Sequence, residues 1–155
     1  MLVALMLGCA TVFITMGVQV AVVVILIRYL IKVMSHDDHN TESFGFDTYA
    51  ISLILLMLFA GHLLQIAIWA FMFMYLGEFG DFLTAFYHSA VNFAALGYGD
   101  IVMSEKWRLL GALEASNGVL MFGLSAGTLL SVMTRLFARR TIAGVTPEER
   151  RHMQG

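Results

Sequence analysis

Residues 95–100 read ALGYGD. Two glycines, a tyrosine and an aspartate break a chain that is otherwise made of long apolar runs, and they fall between two of those runs. Irregular backbone at membrane depth survives only where it is buried in protein or lines a water-filled path, because each unsatisfied peptide group in hydrocarbon costs several kcal/mol. Glycine at alternate positions, Gly97 and Gly99, permits φ > 0 where other residues resist it, so consecutive carbonyls can face one side. A row of carbonyls facing one side can replace the hydration shell of a monovalent cation.

The surroundings place this hexapeptide in a membrane. Of 155 residues, 59% are hydrophobic and only 13% are charged, and the mean hydropathy is +0.81, far too apolar for a soluble domain of this size. The net charge of −2 and the absence of a basic patch interleaved with aromatics set nucleic acid aside. Cys9 is the single cysteine, which excludes an intrachain disulfide and a thiolate metal cluster. MLGC (6–9) is similar to a lipoprotein cleavage site, but no basic segment precedes the apolar run, so a retained helix is expected.

No charged residue occurs from Met1 to Ile27, a stretch that as a helix spans roughly 40 Å against a hydrocarbon core of ~30 Å. SHDDHNTESFGFD (35–47) is polar and acidic and reads as a loop. Tyr49 to Leu76 forms a second apolar run, interrupted by His62 and Gln65 and closed by GEFGD (77–81). FLTAFYHSAVNFAAL (82–96) is apolar but short of the ~20 residues needed to span, so it should enter the membrane and turn back. Leu109 to Met133 is long enough to cross, with Glu114 as its only charge. With the N-terminus outside, Arg28, Lys32, Arg135, Arg139, Arg140, Arg150 and Arg151 are cytoplasmic and only Lys106 and Arg108 face out. TPEE (146–149) reads as a capping box for a short cytoplasmic helix resting on anionic lipid through Arg139 and Arg140.

GYGD after a short apolar helix and before a spanning one resembles the pore domain of tetrameric potassium channels, over roughly Ile51 to Arg135. The resemblance implies a filter in which Ala95, Leu96, Gly97, Tyr98 and Gly99 coordinate ions through their backbone, with Asp100 at the outer mouth. It implies that Tyr87 and His88 brace this filter from behind, His88 reaching Tyr98 of a neighbouring chain, and that Gly118 in GVLMFGL (118–124) is a hinge of the inner helix that begins at Trp107. The expected fold is an all-α membrane protein of three transmembrane helices plus a re-entrant pore helix and filter loop, assembling as a homotetramer in the plasma membrane. The expected divisions are an N-terminal helix (1–34), an acidic cytoplasmic loop (35–48), a pore domain (49–137) and a cytoplasmic tail (138–155). Within the pore domain fall an outer helix (49–77), a pore helix (82–94), the filter (95–100) and an inner helix (108–137). The implied function is passive conduction of K⁺, with no enzyme chemistry, no cofactor and no metal beyond permeant ions.

One departure bears on selectivity. The family commonly carries two threonines where this chain has Ala94 and Ala95, so the hydroxyl ring of the innermost ion site is absent. Non-selective cation conduction, with Na⁺ passing beside K⁺, and a non-conducting membrane subunit therefore stand as alternatives, as does a plain extracellular turn. GYGD also fits the GxGD motif of intramembrane aspartyl proteases, but these need a second aspartate on a membrane helix. Asp37, Asp38, Asp47 and Asp81 all fall in loops or at their edges.

Glu114 and Asn117 lie about one turn apart on the third crossing. Glu114 is expected either to pair with Asn92 or His88 of the short helix or to sit close enough to the outer end for solvation. His62 and Gln65 are expected to bond across helices. HDDH (36–39) crowds its metal-capable side chains into consecutive positions, unlike a zinc site, and reads as solvated loop, with a metal or proton sensor as the sharper alternative.

Overall fold

Among the described residues, three helices are dictated by apolar length and a fourth by its caps. The structure, a computed structural model, describes residues 2–36 and 44–143. Its elements are α1 (Leu2–His36), α2 (Phe44–Tyr75), α3 (Phe82–Phe93) and α4 (Arg108–Ala143), with no strand among the described residues. The stretches Leu2–Lys32, Thr48–Tyr75 and Arg108–Arg135 are each long and apolar enough to cross a membrane. The protein is an all-α, multi-pass membrane protein.

Several expected bounds move outward. α1 continues to His36, α2 starts at Phe44 instead of 49, and α4 runs to Ala143, past the expected 137. Apolarity marks where lipid ends, whereas a helix continues for as long as its backbone pairs with itself, so polar turns can extend a spanning helix into water. Residues 37–39 of HDDH and the TPEE capping box lie outside the described residues.

α2 closes with Gly77 at φ +77. The Gly77 N–H donates to the Met74 carbonyl at 2.9 Å and the Glu78 N–H to that of Phe73 at 3.1 Å, the paired bonds of a Schellman ending. Four residues later Asp81, with extended backbone, caps α3 by accepting the Thr84 N–H at 2.9 Å. α3 has 12 residues and is about 18 Å long, too short to cross.

α1 and α4 run parallel and in direct contact, and α2 packs antiparallel against both. The register shows in successive pairs: Gly8 against Leu110 and Leu113, Thr15 with Asn117, Gln19 with Ser125, and Leu26 and Leu30 with Val132. Two apolar clusters result. One gathers Trp69, Phe73, Phe93, Trp107, Leu110 and Met121 around α3, and the other gathers Leu26, Leu30, Ile54, Leu58 and Val132 at the opposite end. Between them lies a belt of buried polar side chains that bond across helices. Gln65 donates to Gln19 at 2.6 Å, Gln19 donates to Ser125 at 2.9 Å, and the Ser125 hydroxyl meets His62 Nε2 at 3.1 Å. Lipid tails are as apolar as leucine, so such bonds, each worth about 0.6 kcal/mol, give helix packing an orientation that apolar contact alone does not.

The tightest contact joins α4 to the end of α3. A Cβ placed on Gly118 would lie 1.9 Å from the Phe93 carbonyl oxygen and 2.7 Å from its carbon. Backbone atoms cannot swing aside as a side chain can, so only glycine fits there. α4 is continuous through this point. Gly118→Ala is expected to lose about 1–3 kcal/mol, the usual cost of overpacking, in reversible unfolding in detergent. Gly17→Ala, where nothing lies within 4 Å, should leave stability unchanged or raise it by up to about 1 kcal/mol.

Candidate functional site: the 95–100 segment and its supports

The end of α3 launches the segment. Ala94 closes the helix, and the N–H groups of Ala95 and Leu96 return to the carbonyls of Asn92 (2.8 Å) and Val91 (2.9 Å). From there the backbone alternates: φ is +55 at Ala95, +60 at Gly97 and +75 at Gly99. Glycine takes this conformation freely, while an L-residue such as Ala95 bears roughly 1–2 kcal/mol. The glycine spacing in the sequence points to two of these positions, and only the structure adds Ala95.

The outer end is tied back to α3. The Tyr87 hydroxyl donates to Asp100 Oδ2 at 2.7 Å, and His88 Nδ1 lies 3.0 Å from the Ile101 carbonyl. A carbonyl only accepts, so Nδ1 carries the ring proton. Nε2 then accepts from the Asn92 amide at 2.9 Å. The His88 ring is thus neutral, with both nitrogens engaged within its own chain. Phe79 packs on the ring at 4.9 Å, and the adjacent Glu78 grips Ser104 by both its N–H and its hydroxyl, each at 2.7 Å. The stretches before α3 and after the segment are therefore joined directly.

Residues 95–100 are all exposed in the single chain, with Leu96 at 54% and Tyr98 at 65%. Asp100 is exposed as well, and the Tyr87 hydroxyl holds its carboxyl below the usual carboxylate range despite some opposing desolvation. The Thr84 N–H does the same for Asp81.

Behind the segment, Glu114 of α4 is fully buried, which excludes solvation. Its Oε1 meets Ser89 Oγ, one position along from the expected His88, and Asn92 bears on the same carboxyl. Ser89 Oγ also lies 2.9 Å from the Ile66 carbonyl. The one hydroxyl proton of Ser89 thus faces two acceptors, the Ile66 carbonyl and the Glu114 carboxyl, and Ser89 links α2, α3 and α4. Asn117 does not join this set; its amide donates to Thr15 of α1 at 3.0 Å. Sequence reading missed Ser89, Thr15, Gln19 and Ser125. A signal existed on α1, where Thr11, Thr15 and Gln19 recur every fourth residue and so share a face.

An ion-channel family model matches residues 51–135. The chain belongs to this ion-channel family. The match takes in most of α2, all of α3, the 95–100 segment and the spanning part of α4, and it leaves α1 outside. No curated protein and no solved structure matches the chain.

Two outcomes follow for this ion channel. Tyr87→Phe removes the hydrogen bond that depresses Asp100. The bond is intact above the usual carboxylate range and is lost as pH falls through the lowered pKa, so the variant should titrate Asp100 at higher pH, read by NMR of its labelled carboxyl carbon. Glu114→Ala, which takes from Ser89 its buried side-chain partner, should lose about 1–3 kcal/mol in reversible unfolding in detergent. Glu114→Gln should lose less, since the amide oxygen can still accept from Ser89.

Proposed function

We propose that four copies of this chain form a passive cation channel that conducts K⁺ through the 95–100 segments gathered around a common axis. The observation that carries this reading is the alternation of positive φ at Ala95, Gly97 and Gly99, between supports at both ends of the segment. Alternating handedness lets the carbonyls of Ala95, Leu96, Gly97 and Tyr98 face one side, the arrangement that substitutes for an ion's hydration shell. One strand cannot enclose an ion, and exposed irregular backbone cannot stay in lipid. Further copies supply the enclosure.

Each supporting group then has a task. Asp100, held ionised by Tyr87, gathers cations at the outer mouth. α3 ends at Phe93 beside Gly118, inside the span of α4, and the negative end of its dipole favours a cation below the filter. Tyr87 and His88 fix the filter's outer end to α3. In this reading Gly118 seats α3 against the inner helix α4 and also supplies its bend point. The asymmetry of Lys and Arg favours an outside N-terminus and a cytoplasmic C-terminus, in the plasma membrane of this reading.

Ala95 leaves the innermost ion site without hydroxyls, so preference for K⁺ over Na⁺ should be modest. The test is flux of each ion into liposomes holding the purified chain, followed by reversal potentials under bi-ionic conditions. Absent flux across varied pH and membrane tension would overturn conduction. Ala95→Thr should sharpen K⁺ preference while lowering tetramer stability, because a β-branched residue resists φ +55 more than alanine does. Strong K⁺ selectivity in both proteins would overturn the role given to the missing hydroxyls.

A further inference from the structure

A cavity of about 590 Å³ opens between α1 and α4, in the half of the membrane away from the 95–100 segment. Ile27, Leu30 and Ile31 form one wall, and α4 forms the other from Gly123 to Arg135. The α4 wall rises about 18 Å over that distance, close to the ~15 Å depth of one leaflet's hydrocarbon. A Cβ on Gly123 or Gly127 would meet nothing within 4 Å, so the two glycines hold the groove open. The hydroxyls that line it, Thr128 and Ser131, donate at 2.8 Å to the carbonyls of Leu124 and Gly127 in their own helix. Their donors are spent, and the wall presents an apolar surface along its length. At its end stands Arg135, the last residue of the spanning stretch.

We infer that this groove holds one acyl chain of a phospholipid whose acidic headgroup sits on Arg135. Both walls belong to membrane-spanning stretches, so the medium that meets the groove is lipid. Its depth fits a single leaflet, and the guanidinium stands at headgroup level, where it pairs with phosphate through two parallel hydrogen bonds. The occupant lies between α1, which the family match leaves out, and α4. It begins within a turn of the Gln19–Ser125 bond that holds the two helices together.

The experiment uses the full chain in liposomes containing a phosphatidylglycerol with a photoactivatable acyl chain, and maps adducts by peptide mass spectrometry. Adducts should concentrate on Ile27, Ile31, Leu124 and Val132 of the wild type. Gly127→Leu, which fills the groove, should lose them, whereas Gly17→Leu on an open face of α1 should not. Arg135→Gln should retain the chain but lose the preference for phosphatidylglycerol over phosphatidylcholine in competition, expected at about fivefold from one basic residue near the surface. Adducts spread evenly over every exposed face would overturn the site, as would an unchanged headgroup preference in Arg135→Gln. Disulfide cross-links between copies of the Gly123→Cys or Gly127→Cys variant would also overturn it, by showing that a neighbouring subunit fills the groove. Each readout is independent of conduction.

Discussion

The Phe93 carbonyl occupies the space where a side chain at position 118 would begin. This backbone-to-backbone contact fixes how deep the end of α3 lies against α4, and the 95–100 segment starts two residues later. Much of the rest follows from that depth. Ser89, one turn back on α3, comes level with Glu114, one turn back on α4. Asn92 faces His88, and His88 can then hold Ile101 from behind. The short helix is thereby a rigid strut, capped by Asp81 at one end and seated on Gly118 at the other.

Polar side chains inside the span do a different job from those around the segment. The belt of Gln19, Gln65, Ser125 and His62, together with the Thr15–Asn117 bond, fastens α1 to the family core. Apolar packing in lipid has no solvent to push helices together, so directional bonds decide which faces meet. α1 contacts α4 on both sides of Gly118, through Asn117 and Ser125. In the proposed channel, movement of the cytoplasmic half of α4 would carry α1 with it or break the Gln19–Ser125 bond. On α4 the groove proposed to hold lipid starts at Gly123, two residues before the Ser125 of that bond.

The proposed filter combines rigidity and strain. Its glycines take left-handed backbone without cost, whereas Ala95 does not, and its supports hold it from outside through Tyr87, His88 and the Glu78–Ser104 bridge. What the single chain leaves exposed, Leu96 and Tyr98 above all, is what an assembly of copies would cover.

The sequence by itself determined the number and order of the crossings, the shortness of α3 and the break at GYGD, because lipid permits only helices of sufficient apolar length and tolerates irregular backbone only where it is protected. It also marked Glu114, Asn117, His62 and Gln65 as out of place in hydrocarbon. Only the tertiary structure decided their partners, since hydrogen bonds between helices depend on rotation and depth, which hydropathy does not encode. The same holds for Gly118, where the family resemblance implies a hinge and only the fold shows the close contact with Phe93. It holds for His88 too, whose ring nitrogens are engaged by Ile101 and Asn92 within the chain. Helix ends beyond the bilayer were likewise invisible, because composition records where lipid stops and backbone pairing does not stop there.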